Sequence, residues 1–95
     1  ADLTGANLTG ANLTGDDLDY ASWPLWCGSL KAHVDNRLAI QLLYHTLSVV
    51  MYSPNVTPDI KKDLLTETNL KVANQFHRVE ECGKLRIYEE ASHEA

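Results

Sequence analysis

Five side chains in this chain have the chemistry of metal ligands or nucleophiles, and they are Cys27, His33, His45, His77 and Cys82. Two thiolates with two imidazoles form one of the tetrahedral sets that hold zinc. The spacing does not favour such a site, because five residues separate Cys27 from His33 and four separate His77 from Cys82. No CxxC or HxxxH pair occurs to anchor a metal. We therefore predict no metal site and no cofactor.

One alternative function stays open, a small metal-binding or thiol-dependent regulatory protein that uses Cys27, His45, His77 and Cys82. A Cys–His nucleophile pair, with His77 beside Cys82 or Cys27, is the only catalytic arrangement that the sequence offers. No pattern supplies an oxyanion site or an acid that orients the imidazole, and no glycine-rich phosphate loop occurs. We predict no catalytic residues and a protein that is not an enzyme.

The elements that position these side chains begin with a repeat. The first twenty residues read ADLTG, ANLTG, ANLTG and DDLDY, with leucine at Leu3, Leu8, Leu13 and Leu18. A period of five belongs neither to a helix nor to a flat strand. A four-sided coil explains it, with one leucine pointing inward from each side and a small residue two positions earlier. Glycine suits the corners, and Asn or Asp supports the turns.

This pattern resembles the pentapeptide-repeat family, whose consensus is A(D/N)LXX. The units that match are Ala1-Asp2-Leu3, Ala6-Asn7-Leu8 and Ala11-Asn12-Leu13, then Asp16-Asp17-Leu18 without the alanine, and Ala21-Ser22-Trp23 with tryptophan in place of leucine. The resemblance implies a right-handed quadrilateral β-helix over residues 1–25. It does not imply one function, because one scaffold serves many purposes.

Four pentapeptides make about one turn of such a coil, and one ring of leucines would be uncovered on one side. We therefore expect the C-terminal end of a longer solenoid, present here as a fragment. The alternative is that two copies stack open face to open face. The tryptophans of residues 22–30 are expected to close the other end of the coil.

Three helices are predicted after this junction. Asp35 N-caps the first, which ends before Ser53-Pro54-Asn55. Thr57-Pro58-Asp59 starts the second. A break at 66–68 precedes the third, which runs from Leu70 to a glycine cap at Cys82-Gly83, and residues 89–95 are expected to form a polar tail. The predicted fold class is α+β, a short β-helix over residues 1–30 capped by a three-helix module over 31–95.

Charge and composition limit the partners. Residues 1–30 contain four acids and no Lys or Arg, which argues against a nucleic-acid partner. No apolar run approaches the ~20 residues of a membrane span. Two cysteines are too few for a disulfide framework, so reduced thiols and the cytoplasm are predicted, with a Cys27–Cys82 bridge left open.

The predicted function is a non-enzymatic protein–protein interaction or scaffold module. Its partner is either another protein or a second copy, bound through the open N-terminal coil or through the helices. The junction and helices loosely resemble the C-terminal segments that follow pentapeptide repeats in bacterial and phage proteins. A third reading remains open, in which the repeats only space or present the helical part within a longer chain.

Overall fold

The computed structural model describes residues 2–88, so the predicted tail at 89–95 lies outside the described residues. The chain divides into two compact units, whose described parts are residues 2–38 and 39–88. The helices are a short 3₁₀ helix at Cys27–Ser29, α1 at Asn36–Tyr52, α2 at Pro58–Leu64, α3 at Glu67–Ala73 and α4 at Val79–Cys82. Among residues 2–88, no helix is long and apolar enough to cross a membrane.

Each pentapeptide of the first unit is held by the same two hydrogen bonds. The side-chain oxygen of its Asp or Asn accepts from the backbone N–H two residues later, at 3.0–3.1 Å, in Asp2, Asn7, Asn12 and Asp17. The leucine carbonyl then accepts from the N–H three residues later, at 2.8–3.0 Å. The repeat therefore encodes an Asx turn followed by a β-turn, once every five residues.

The fifth position of each unit needs a left-handed backbone. Gly5, Gly10 and Gly15 have φ of 78°, 75° and 82°. Such a φ costs glycine little, whereas other L-residues lose roughly 1–2 kcal/mol. The fourth unit places Tyr20 in this conformation, with φ of 65°, and its side chain is 88% exposed.

After twenty residues the chain returns alongside itself. We call residues 2–21 the first pass and residues 22–35 the second pass. The amide of Leu3 donates to the Ser22 carbonyl at 3.1 Å, and the amide of Leu13 donates to the His33 carbonyl at 2.7 Å. The two bridges, Asp2 with Ser22 and Asn12 with His33, have offsets of 20 and 21 residues (22 − 2 and 33 − 12). The second pass therefore contains one extra residue.

The predicted α+β β-helix is wrong. Residues 2–88 contain no β-strand and no sheet, only two isolated parallel bridges beside four α-helices. The physical reason lies in the turns, because a chain that turns every five residues leaves one residue per side in bridging geometry, and a strand needs consecutive bridges. The extra residue and the 3₁₀ turn at Cys27–Ser29 interrupt the pairing further.

Where the pairing is interrupted, the Trp26 indole takes the place of a backbone donor. Ala11, in the third unit, has its carbonyl bonded by the amide of His33 at 2.7 Å. The equivalent carbonyl in the second unit, that of Ala6, instead accepts from the Trp26 indole Nε1 at 2.8 Å. The indole lies directly against Gly28, where an added Cβ would overlap ring atoms of Trp26. Gly28 is therefore required for steric room beside this ring.

The second unit holds more helices than the three predicted. Asp35 caps α1 as predicted, since its Oδ1 accepts from the Leu38 amide at 3.0 Å. Pro58 begins α2, and Thr66 caps α3 by accepting from the Asn69 amide at 3.2 Å. The predicted continuous third helix is wrong, because the chain leaves helical geometry at Asn74.

The Asn74 side chain accounts for that break. Its Oδ1 accepts from the Leu85 amide at 2.8 Å and its Nδ2 donates to the Leu85 carbonyl at 3.0 Å, so it binds the returning chain as a backbone neighbour would. The helical path resumes as α4 and ends at Gly83, with φ of 102°. The core of this unit combines α1, α3 and the returning segment in one cluster of buried side chains, Tyr44, Leu47, Val50, Met51, Leu65, Leu70, Ala73, Phe76 and Leu85.

Candidate interaction site

The predicted metal ligands are not assembled into a site. Among residues 2–88, no group of three or more His, Cys, Asp or Glu side chains is placed to hold a metal ion. Cys27 and Cys82 are both free and exposed. His33 contributes its backbone to the parallel bridge with Asn12. The set of Cys27, His45, His77 and Cys82 therefore has no metal geometry in the described part of the chain.

Two of those side chains do meet at one place. The imidazoles of His45 and His77 lie edge-on to the ring of Phe76, with centroids 5.7 and 4.9 Å away. Phe76 is 3% exposed and packs on Tyr44 at 4.5 Å between centroids. The Tyr44 hydroxyl donates to the Gly83 carbonyl, and burial raises the pKa of that hydroxyl. The two histidines therefore flank a packed aromatic core.

A cleft of about 320 Å³ opens elsewhere in the second unit. Its walls come from the junction of α2 with α3 and from the segment after α4, and they are Lys62, Leu65, Thr66, Glu67, Ile87 and Tyr88. The Tyr88 amide donates to the Leu65 carbonyl across it at 3.1 Å. None of the chemically reactive side chains singled out from the sequence lines this cleft. Its mixed walls, with one amine and one carboxylate, specify no ligand.

The first pass makes its backbone bonds on one side only. In a parallel bridge the two neighbours of a residue supply the bonds, so its own N–H and C=O point the opposite way. This is the case for Asn12, since Ala11 and Leu13 make the bonds to His33. Ala6 and Leu8 flank Asn7 in the same way and bond to the second pass. Within residues 2–88, the backbone N–H and C=O of Asn7 and Asn12 have no partner.

The four repeat leucines differ in exposure. Leu8 is buried, at 9% exposure, whereas Leu3, Leu13 and Leu18 remain partly exposed. We call this side of the first pass, turned away from the second pass, the open edge. It comprises the unpaired backbone groups of Asn7 and Asn12. Unpaired N–H and C=O groups on such an edge are a template for pairing with another chain.

Two carboxylates hold the first unit together. The Asp35 carboxylate accepts from the Gly15 amide at 2.8 Å as well as from the Leu38 amide, which ties a repeat corner to the start of α1. These bonds lower the pKa of Asp35. Asp2 accepts from the Ser22 hydroxyl at 2.7 Å and from the Thr4 amide, and these bonds lower its pKa to about 2.

Acid is therefore expected to weaken the first unit. A carboxylate with a depressed pKa stabilises the folded state above its unfolded value of 3.8, and that stability is lost as the pH falls toward about 2. Both tryptophans lie in this unit, so their fluorescence between pH 5 and 2 should report the loss (roughly that window,). Asp2→Asn keeps the amide oxygen that Asn7 and Asn12 use, and it should flatten part of the pH dependence. An unchanged acid transition in Asp2→Asn would show that the Asp2 contacts do not contribute.

The comparisons with known proteins bear on the first unit alone. Residues 1–22 match the family model described as pentapeptide repeats (8 copies). The resemblance drawn from the A(D/N)LXX units is confirmed for this segment, which covers 22 of the 95 residues. No curated protein and no solved structure matches the chain.

The sequence predicts one circuit in four pentapeptides, and the bridge of Asp2 with Ser22 agrees with that count. Sequence reasoning missed the contact of Trp26 with Ala6 and Gly28. The signal available for it was the tryptophan two residues before a glycine that does not follow the five-residue period.

Proposed function

We propose, from the premise that residues 1–22 are pentapeptide repeats, that this protein is a non-enzymatic interaction module that binds a polypeptide through its open edge. The pentapeptide-repeat family is generally non-enzymatic and is compatible with a protein-interaction or scaffold role. The single observation that carries the proposal is the pair of unpaired backbone positions, Asn7 and Asn12.

A polypeptide is the ligand class that this surface fits. Alternating N–H and C=O groups are complementary to another backbone, and neighbouring apolar side chains add specificity when an extended segment joins an edge. The first pass carries four aspartates and no cation, which disfavours a phosphate backbone. The free, exposed Cys27 and Cys82 support action in a reducing compartment such as the cytoplasm.

Selection from a phage-displayed random peptide library tests the proposal. The chain would be immobilised sparsely through a tag after its last residue. Ala11→Lys places a long cation at a half-buried alanine of the first pass, and Val49→Lys places the same cation on the exposed face of α1, where Val49 is 65% exposed. We expect selected peptides to lose about tenfold in affinity for Ala11→Lys, or about 1.4 kcal/mol, and to bind Val49→Lys unchanged.

Peptides that bind Ala11→Lys as tightly as the parent chain would contradict the proposal. So would a library that yields no binder. Circular dichroism and tryptophan fluorescence of both variants establish that they fold, so that lost binding can be assigned to the edge.

A further inference from the structure

We infer that the second unit contains a binding site for an extended peptide of another polypeptide, and that residues 83–88 of this chain occupy that site themselves. We call residues 83–88 the strap. They follow α4, and 83–87 belong to no helix. We call the residues that hold the strap, Tyr44, Leu65 and Asn74, the groove. This site goes beyond the open edge, because it lies in a different unit and uses different residues.

The groove binds the strap through its backbone. The Asn74 side chain accepts from the Leu85 amide at 2.8 Å and donates to the Leu85 carbonyl at 3.0 Å. Two such bonds to a single residue are what a hydrogen-bonded pair exchanges in an antiparallel ladder. The Tyr88 amide then donates to the Leu65 carbonyl at 3.1 Å. A foreign peptide offers the same backbone donors and acceptors, so these bonds do not depend on the identity of the strap.

The apolar side chains of the strap define the class of peptide. Leu85 is 5% exposed and belongs to the core cluster of the second unit, and Ile87 and Tyr88 are partly buried against that cluster. When an extended segment joins a protein in this way, main-chain bonds give affinity and pockets for particular side chains give specificity. The ligand is therefore a peptide with a leucine followed, two residues later, by a large apolar residue.

The strap leaves space unfilled beside Ile87. The cleft of about 320 Å³ at the junction of α2 with α3 is lined by Ile87 and Tyr88 together with Leu65. Its volume lies at the lower end of the range for ligand pockets, roughly 300–1,000 Å³. A peptide with a larger side chain at the position of Ile87 buries apolar surface that the strap leaves exposed. Such a peptide therefore gains contacts that the strap lacks, which allows it to compete.

The connection to the strap favours its release. α4 is four residues long and has no buried residue. Gly83 follows it with φ of 102° and ψ of 143°, a conformation that residues other than glycine adopt only with strain. The Tyr44 hydroxyl donates to the Gly83 carbonyl and fixes the start of the strap. The strap is therefore a tethered competitor, and its tether gives it a high effective concentration at the groove.

Fluorescence anisotropy on the full chain tests this inference. The probe is a labelled peptide with the sequence of residues 83–88, Gly-Lys-Leu-Arg-Ile-Tyr. Gly83→Ala in the protein adds a Cβ that meets no atom within 4 Å, so it strains the backbone of the strap and leaves the groove unchanged. We expect the probe to bind Gly83→Ala about tenfold more tightly than the parent chain. Lys84→Ala, at an exposed side chain, is the matched control and should bind as the parent chain does.

Two changes in the probe locate its site. N-methylation of the probe's leucine removes the N–H that donates to Asn74 and does not alter the tethered strap, so we expect at least about a tenfold loss of affinity. Tryptophan in place of the probe's isoleucine should bind several-fold more tightly, because the cleft has room for it. In the protein, the Leu85 amide should exchange faster when the probe is bound, because the strap has left the groove.

A probe that does not bind Gly83→Ala at about 1 mM would overturn the inference. Equal affinities for the parent chain and Gly83→Ala, unchanged binding of the N-methylated probe, or a Leu85 amide that stays protected would overturn it as well. The tryptophan probe places the ligand beside the cleft, and a loss of affinity there would contradict that placement. The proposed function fails separately, because Ala11→Lys tests the open edge and should leave the binding of this probe unchanged.

Discussion

Phe76→Ala is expected to destabilise the second unit by about 3–5 kcal/mol, the cost of removing a fully buried phenylalanine. Phe76 is 3% exposed, packs against the Tyr44 ring at 4.5 Å and is flanked by the imidazoles of His45 and His77. Its removal leaves a cavity where three rings meet. In a domain stabilised by only ~5–15 kcal/mol, this loss is a large fraction of the total.

Urea denaturation followed by circular dichroism at the helical band measures the effect, because α2, α3 and α4 all belong to this unit. Val72→Ala on α3 is the matched control, since Val72 is 38% exposed and should lose less than about 1 kcal/mol. Equal losses in the two variants would show that the Phe76 ring is not central to the core.

Gly28→Ala is expected to cost the first unit about 1–3 kcal/mol, through overpacking. The new Cβ would overlap the Trp26 ring, so the indole must move, and we expect its bond to the Ala6 carbonyl to be lost. The backbone conformation is not the cause, because Gly28 is not among the residues with positive φ. The tryptophan fluorescence midpoint in urea reports the change.

A double-mutant cycle isolates the clash. In the Trp26→Ala background the indole is already absent, so Gly28→Ala should add almost nothing there. If Gly28→Ala costs the same with and without the indole, the contact with Trp26 is not the reason for glycine at this position.

The turns of the repeat could be predicted from the sequence because the hydrogen bonds that form them are local. Each Asx turn and β-turn forms within one pentapeptide, so the Asp or Asn, leucine and glycine positions follow from residue type alone. The start of α1 was also predictable, since Asp35 caps it through a bond to Leu38 only three residues away. Local hydrogen bonds explain these successes.

Long-range contacts explain the errors. Whether neighbouring passes build strands depends on consecutive bridges between residues about twenty apart, and the extra residue near Cys27–Ser29 prevents them. The split of the third helix depends on the bonds of Asn74 to Leu85, eleven residues away. The spacing of apolar residues predicts neither the bridges between the two passes nor the bonds of Asn74 to Leu85.

Counting units predicts that the chain returns alongside itself after about twenty residues, because four pentapeptides make one circuit. The count does not predict which backbone groups are paired. Which backbone groups remain unpaired depends on the register between the two passes, and the indole of Trp26 substitutes there for a backbone donor.

Amide hydrogen exchange resolved at single residues tests the open edge of the first pass most directly. In dilute solution the amides of Leu8 and Leu13, which bond to the second pass, should be protected, and those of Asn7 and Asn12 should exchange freely. Asn7 and Asn12 amides that are as protected as those of Leu8 and Leu13 would contradict the account.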